Sequence, residues 1–222
     1  MPSTLVIFDL DGTLVDTAPD LIESLNHAIE VADLPPFSLE QVNILVGRGV
    51  RVMIERAFAF HQKQLDPEMF ELCFNRFTEH YIANMPGQSR PYPGLEAALD
   101  RLDAAGFDLA VCTNKRDGLT DRLLSGLALK NRFSTIIGGD FPNRKPDPRH
   151  VLATIEKAGA AKANSVMIGD SANDIGAAKA AGVATIAVSF GYTDKPVSEY
   201  GPDRIIDHYD ELTADLITSL VG

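Results

Sequence analysis

The chain has 222 residues, 45% of them hydrophobic, which allows one large domain or a domain with a sizeable insertion and is too apolar for a disordered polymer. Its net charge of −11, from 20 basic and 31 acidic residues, argues against nucleic acid or an anionic membrane as partner, since both demand a basic footprint. Only Cys73 and Cys112 are present, outside any CxxC pair, so no zinc or redox motif is expected.

Leu5 to Phe8 is a short apolar run that predicts a buried parallel strand. No basic region precedes it, Asp9 interrupts it, and no run in the chain approaches the ~20 residues of a membrane span, so a soluble cytoplasmic protein is expected. The strand ends in Asp9, skips one residue and presents Asp11, after which Gly12 permits a tight turn. In an open α/β sheet, ligands gather beyond the carboxyl ends of the strands, which is where Asp9 and Asp11 fall. Two carboxylates this close repel and call for a cation.

The pattern then becomes helical. Ala18, Leu21, Ile22, Leu25, Ala28, Ile29 and Ala32 recur at three- and four-residue spacing, and Leu34-Pro35-Pro36 is expected to end that helix. Ser38 is a candidate N-cap for a short helix through Leu45. Beyond Gly47-Arg48-Gly49, the residues Val50, Met53, Ile54, Ala57 and Phe58 form another apolar face. Asp66-Pro67 opens a fourth helix, with Met69, Cys73, Phe77 and Tyr81 inward. Residues 16–86 thus read as an all-helical cap domain inserted after the first strand, where a lid over the carboxylates would be useful. Residues 1–15 and 87–222 read as the α/β core.

In that core a helix through Ala105 leads to a strand from Phe107 to Cys112, then a helix from Asp117 to Leu127 and a strand from Thr135 to Ile137. The prolines of Lys145-Pro146-Asp147-Pro148 start a helix with Val151, Leu152, Ile155 and Ala158 inward. A strand from Ser165 to Ile168, an Ala-rich helix from Asn173 to Ala181, a strand from Val183 to Val188 and a tail helix from Glu211 to Leu220 complete the chain. This alternation predicts a doubly wound parallel sheet.

Four strand ends carry polar groups that such a fold can turn into one crevice: Asp9 with Asp11, Thr113 with Asn114, Lys145, and Asp170 with Asp174. The set suits phosphoryl transfer. Asp9 can be the nucleophile and Asp11 the general acid and base. Thr113, Asn114 and Lys145 can bind phosphoryl oxygens. Asp9, Asp170 and the Asp11 carbonyl can hold Mg²⁺, with Asp174 ordering a metal-bound water or Lys145. The cation is called for on charge grounds, because carboxylates around a dianionic phosphate would otherwise expel it.

Asp9-Leu10-Asp11-Gly12-Thr13, Val111-Cys112-Thr113-Asn114, Lys145-Pro146-Asp147-Pro148 and Gly169-Asp170 to Asp174 resemble, in order, the four motifs of the haloacid dehalogenase superfamily. The resemblance spans residues 4 to about 190 and implies a Rossmann-like core with a helical cap. It also implies a Mg²⁺-dependent phosphatase or phosphomutase with Asp9 as nucleophile, acting on a small phosphorylated metabolite as a monomer or small homo-oligomer. Within the superfamily, Val46-Gly47-Arg48-Gly49, Met53-Ile54-Glu55-Arg56-Ala57 and Thr113-Asn114-Lys115 look most like the phosphoglycolate phosphatases. Arg116-Asp117 stands where many relatives carry a proline. Arg48 offers a guanidinium fork suited to a substrate carboxylate, with Arg51 and Lys115 as weaker candidates. A sugar phosphomutase and a pyrophosphatase share much of this pattern. A dehalogenase would not need Asp11, and a phosphate sensor would not need a general acid.

Overall fold

The computed structural model describes residues 4–46 and 49–221. The chain divides into two compact units, Met1–Asp16 with Pro91–Gly222, and Thr17–Arg90. It opens with β1 (Leu5–Phe8) and the short β2 (Val15–Asp16). The helical unit contains α1 (Ala18–Ile29), α2 (Val42–Leu45), α3 (Val50–Phe60) and α4 (Pro67–Asn84).

Within this unit α1 runs into a 3-10 turn that stops at Asp33, whose left-handed backbone ends the helix ahead of the proline pair. The stretch after Ser38 begins as a 3-10 turn, closed by a reciprocal cap between Ser38 and Gln41. In α4 it is Phe70, not Met69, that heads the buried row of Cys73, Phe77 and Tyr81. A row of strict four-residue steps drifts off the face of a helix that turns every 3.6 residues. The buried Asp20 carboxylate accepts hydrogen bonds from the Gln88 and Ser89 main chain at 2.7 and 3.0 Å and from the Ser89 hydroxyl. It thereby ties the two ends of the unit together.

The chain continues through β3 (Arg90–Pro91), α5 (Leu95–Ala104), β4 (Asp108–Cys112), α6 (Asp117–Gly126), β5 (Thr135–Ile137), α7 (Pro148–Ala158), β6 (Ser165–Gly169), α8 (Ala172–Ala181), β7 (Ala184–Val188), β8 (Arg204–Ile206) and α9 (Ala214–Thr218). Six strands form one sheet in the order β5-β4-β1-β6-β7-β8, every neighbouring pair parallel. Phe8 of β1 lies opposite Val111 on one side and Ile168 on the other. The chain builds outward from β1 through β4 to β5, then returns to β6 and builds the other way. The carboxyl end of β1 is therefore the topological switch point, where a doubly wound sheet opens a crevice.

All four residues of β1 are fully buried, since both faces of the sheet are covered. Leu5 and Ile7 share a core with Ala110, Cys112 and Met167, roofed by Val151 and Ile155 of α7 and by Ala177, Ala178 and Ala181 of α8. In α7 the inward face differs from the expected one. Leu152 is 39% exposed, whereas His150 and Thr154 are buried beside Val151 and Ile155. The Thr154 hydroxyl bonds back to the His150 carbonyl at 2.9 Å, which lets a polar residue occupy the core face. The short β8 carries no period long enough to announce a strand. The tail helix is shorter than expected because Thr213, extended at φ −110° and ψ 160°, caps it afresh. Among the described residues no helix is long and apolar enough to cross a membrane.

Candidate active site

Asp9 extends the β1–β6 ladder by one bond, its N–H donating to the Ile168 carbonyl at 2.9 Å, so its side chain emerges at the switch point. The chain then folds back tightly, with Gly12 N–H on the Val15 carbonyl and Val15 N–H on the Leu10 carbonyl, both at 3.0 Å. Gly12 has φ +81°, and a Cβ placed there would lie 2.4 Å from Asp170 Oδ2. Asp170 follows β6 and sits in a socket with glycine walls. Its Oδ1 accepts from the Thr13 hydroxyl at 3.1 Å and its Oδ2 from the Tyr192 N–H at 2.7 Å. The opposite wall is Gly191, where a Cβ would lie 2.2 Å from Asp170 Cβ and 2.4 Å from the Gly12 carbonyl. Tyr192 is anchored in turn by a hydrogen bond from its hydroxyl to Asp16. Gly191→Ala should therefore cost about 1–3 kcal/mol, the usual range for overpacking, and displace Asp170. Thermal denaturation and a phosphatase assay check this, and an unshifted melting point with full activity would contradict it.

Asp9, Asp170 and Asp174 each point a carboxylate oxygen into one place, the three oxygens within 4.8 Å of one another. Lys145 meets them, its ammonium 2.9 Å from Asp9 Oδ1 and 2.6 Å from Asp174 Oδ1, its side chain 1% exposed. Burial, opposed by Lys145, raises the Asp9 carboxyl to about 6. Burial and the neighbouring Asp174 and Asp9 charges push Asp170 well above the usual carboxylate range. For Lys145 the two carboxylates outweigh desolvation and hold the ammonium firmly charged. Asp174 is committed on both sides: Oδ1 to Lys145, and Oδ2 to the Ser171 N–H at 3.0 Å and hydroxyl at 2.6 Å, capping α8. It thereby orders Lys145, and Asp170 keeps a lone pair on each oxygen beyond its bonds to Thr13 and Tyr192.

Asp11 does not join that cluster. Its carboxylate is held by Lys115, with Nζ 2.9 Å from Oδ1 and 3.3 Å from Oδ2. Thr113, buried at the end of β4, accepts the Lys115 N–H at 3.2 Å. The Asn114 amide donates to the Lys145 carbonyl at 2.8 Å, so this side chain braces the Lys145 loop. Arg48 lies outside the described residues. Sequence reasoning underweighted Lys115, whose place one step past Thr113-Asn114 at a strand end was the available signal. It missed Gly191 and Tyr192, which no local pattern marks.

The donor set fits a hard divalent cation. It is all oxygen, it concentrates negative charge in a buried place, and Asp9 Oδ1, although near Lys145, is a buried oxygen that accepts no well-formed hydrogen bond among the described residues.

The haloacid dehalogenase-like hydrolase family model matches residues 6–188. The chain belongs to the haloacid dehalogenase-like hydrolase family. This hydrolase is 53% identical over 221 residues to a protein of Agrobacterium fabrum named phosphoglycolate phosphatase, covering 99% of this chain and 95% of that one. It is 46% identical to a Mesorhizobium japonicum protein of the same name, covering 100% and 98%. The crystal structure of a predicted phosphoglycolate phosphatase from Haemophilus somnus 129PT superposes with a TM-score of 0.87 at 34% identity, covering 98% of this chain and 97% of that one. The hydrolase is accordingly an enzyme of the phosphatase type.

Proposed function

We propose that this hydrolase cleaves small phosphomonoesters through a phospho-Asp9 intermediate, with Mg²⁺ held by Asp9, Asp170 and the Asp11 carbonyl, and that its cytoplasmic substrate is 2-phosphoglycolate. The observation that carries the mechanism is the buried Asp9–Lys145 pair beside Asp170 at the switch point of the sheet. An Asp9 oxygen attacks phosphorus as the bond to the substrate oxygen breaks, and Asp11 protonates that departing oxygen. Water then attacks the phosphoryl group, Asp11 takes its proton, and the Asp9–phosphorus bond breaks to release phosphate. Lys145 and Thr113 bind the phosphoryl oxygens throughout. When bound, Mg²⁺ neutralises charge between the carboxylates and the phosphoryl group. Lys115, on Asp11, brings a second cation to this end of the sheet.

The substrate reading is supported by the names of the relatives that match along nearly their whole length. We assign residues 17–90 to a substrate-selecting cap. The test is phosphate release from 2-phosphoglycolate, with and without Mg²⁺, beside sugar phosphates, pyrophosphate and nucleotides. A Mg²⁺-dependent preference for 2-phosphoglycolate is expected. Activity spread over the panel would retire the substrate, and interconversion of sugar phosphates without free phosphate would favour a mutase. Asp170→Asn should abolish the rise in melting temperature that Mg²⁺ gives the parent protein, a rise worth about 2.7 kcal/mol at a hundredfold excess over Kd. An undiminished shift in that variant would take Asp170 out of the metal site.

A further inference from the structure

We propose that His150 is a positioning residue that aims Lys145, acting through the Lys145 main chain together with Asn114. A lysine has four rotatable side-chain bonds, so a fixed ammonium requires a fixed backbone beneath it. Both backbone groups of Lys145 are held by side chains from other segments. Its N–H donates to His150 Nδ1 at 3.3 Å, and its carbonyl accepts from the Asn114 amide at 2.8 Å. The result is an ammonium that reaches Asp9 and Asp174 at once.

His150 is built for this task. It stands in the first turn of α7, fully buried, where a leucine or isoleucine would pack as well and cost less to desolvate. Its ring stacks on Phe141, with centroids 5.2 Å apart and planes 12° apart, which fixes the ring plane. The neutral ring carries one proton, and the second nitrogen, Nε2, is buried with no well-formed hydrogen bond among the described residues. Since Nδ1 faces a donor, that proton belongs on Nε2. Burial and the nearby Lys145 charge lower the imidazole to about 4, so it stays neutral and Nδ1 stays an acceptor. A cationic ring would put a donor against the Lys145 N–H.

The inference rests on the phosphatase reading above, so the tests separate the two. His150→Phe keeps the volume and the stacking but removes the acceptor, whereas His150→Asn keeps an acceptor close to the Nδ1 position. With p-nitrophenyl phosphate and Mg²⁺, His150→Phe should lose about 10²-fold in kcat, the loss expected when a catalytic group is misplaced by about 1 Å, with KM changed far less. His150→Asn should recover most of that loss. Folded His150→Phe with the kcat of the parent protein would overturn the proposal, as would equal loss in both variants, which reports packing alone. Nitrogen-15 spectra of the parent protein give a reading that needs no variant to be active. An Nδ1 free of hydrogen and an Nε2 bearing one at neutral pH are expected for His150. A proton on Nδ1 would refute the clamp. Absence of phosphate release by the parent protein would instead overturn the phosphatase reading, with the nitrogen spectra still deciding the clamp.

Discussion

Asp9→Asn leaves a folded protein with kcat lowered by at least about 10⁴-fold, the scale of loss when a residue of a covalent catalytic set is removed. The amide has the shape of the carboxylate but is a far poorer nucleophile toward phosphorus. The fold should survive, because the burial that raises the Asp9 carboxyl to about 6 already opposes its charge. Lys145 also keeps Asp174 at 2.6 Å. Circular dichroism and melting temperature check the fold, steady-state phosphate release checks turnover, and acid-quenched mass spectrometry checks for a phosphorylated chain. A phosphorylated, active Asn variant would remove Asp9 from the nucleophile's role.

Lys145→Met should lower kcat about 10²–10³-fold, as loss of one oxyanion donor does, and also destabilise the protein. Its ammonium is the partner of Asp174, whose side chain has no exposure, and breaking a buried ion pair from one side costs about 3–5 kcal/mol. For a chain of this length that lowers the melting temperature by roughly 10 °C. The second substitution makes the cause visible. Asp174→Asn in the Lys145→Met background removes the stranded charge and keeps a carbonyl oxygen for the Ser171 N–H and hydroxyl. The double variant should therefore be more stable than Lys145→Met, though below the parent protein because the new amide N–H₂ lacks a buried partner. Melting curves of the parent, two single variants and the double variant decide the matter. A double variant that falls by the sum of the two single losses would mean the pair does not act as a unit.

Much of the core was legible because parallel strands buried on both faces read as short apolar runs bounded by turns. The family motifs mark residues on four strand ends and loops, and the structure brings Asp9, Lys145, Asp170 and Asp174 together. Leu152 was assigned inward on hydrophobicity, while the face of α7 that meets the sheet contains His150 and Thr154. The Thr154 hydroxyl is satisfied within α7 by the His150 carbonyl, whereas His150 Nδ1 meets its donor only once the Lys145 loop packs against α7.

By itself, then, the sequence determined the alternation of strands and helices, the doubly wound sheet, and which residue types stand at its carboxyl edge. Those follow from local periodicity, turn chemistry and the burial of apolar runs. The tertiary structure alone decided the partners: Lys145 on Asp9 and Asp174, Lys115 on Asp11, Asn114 and His150 on the Lys145 main chain, and Gly191 with Tyr192 around Asp170. Lys115 and Asp11 are 104 residues apart, and Lys145 and Asp9 are farther apart still. Hydrogen bonds and ion pairs act over a few ångströms, so which of several nearby acids a lysine meets depends on strand order and register, and neither is encoded within any one segment.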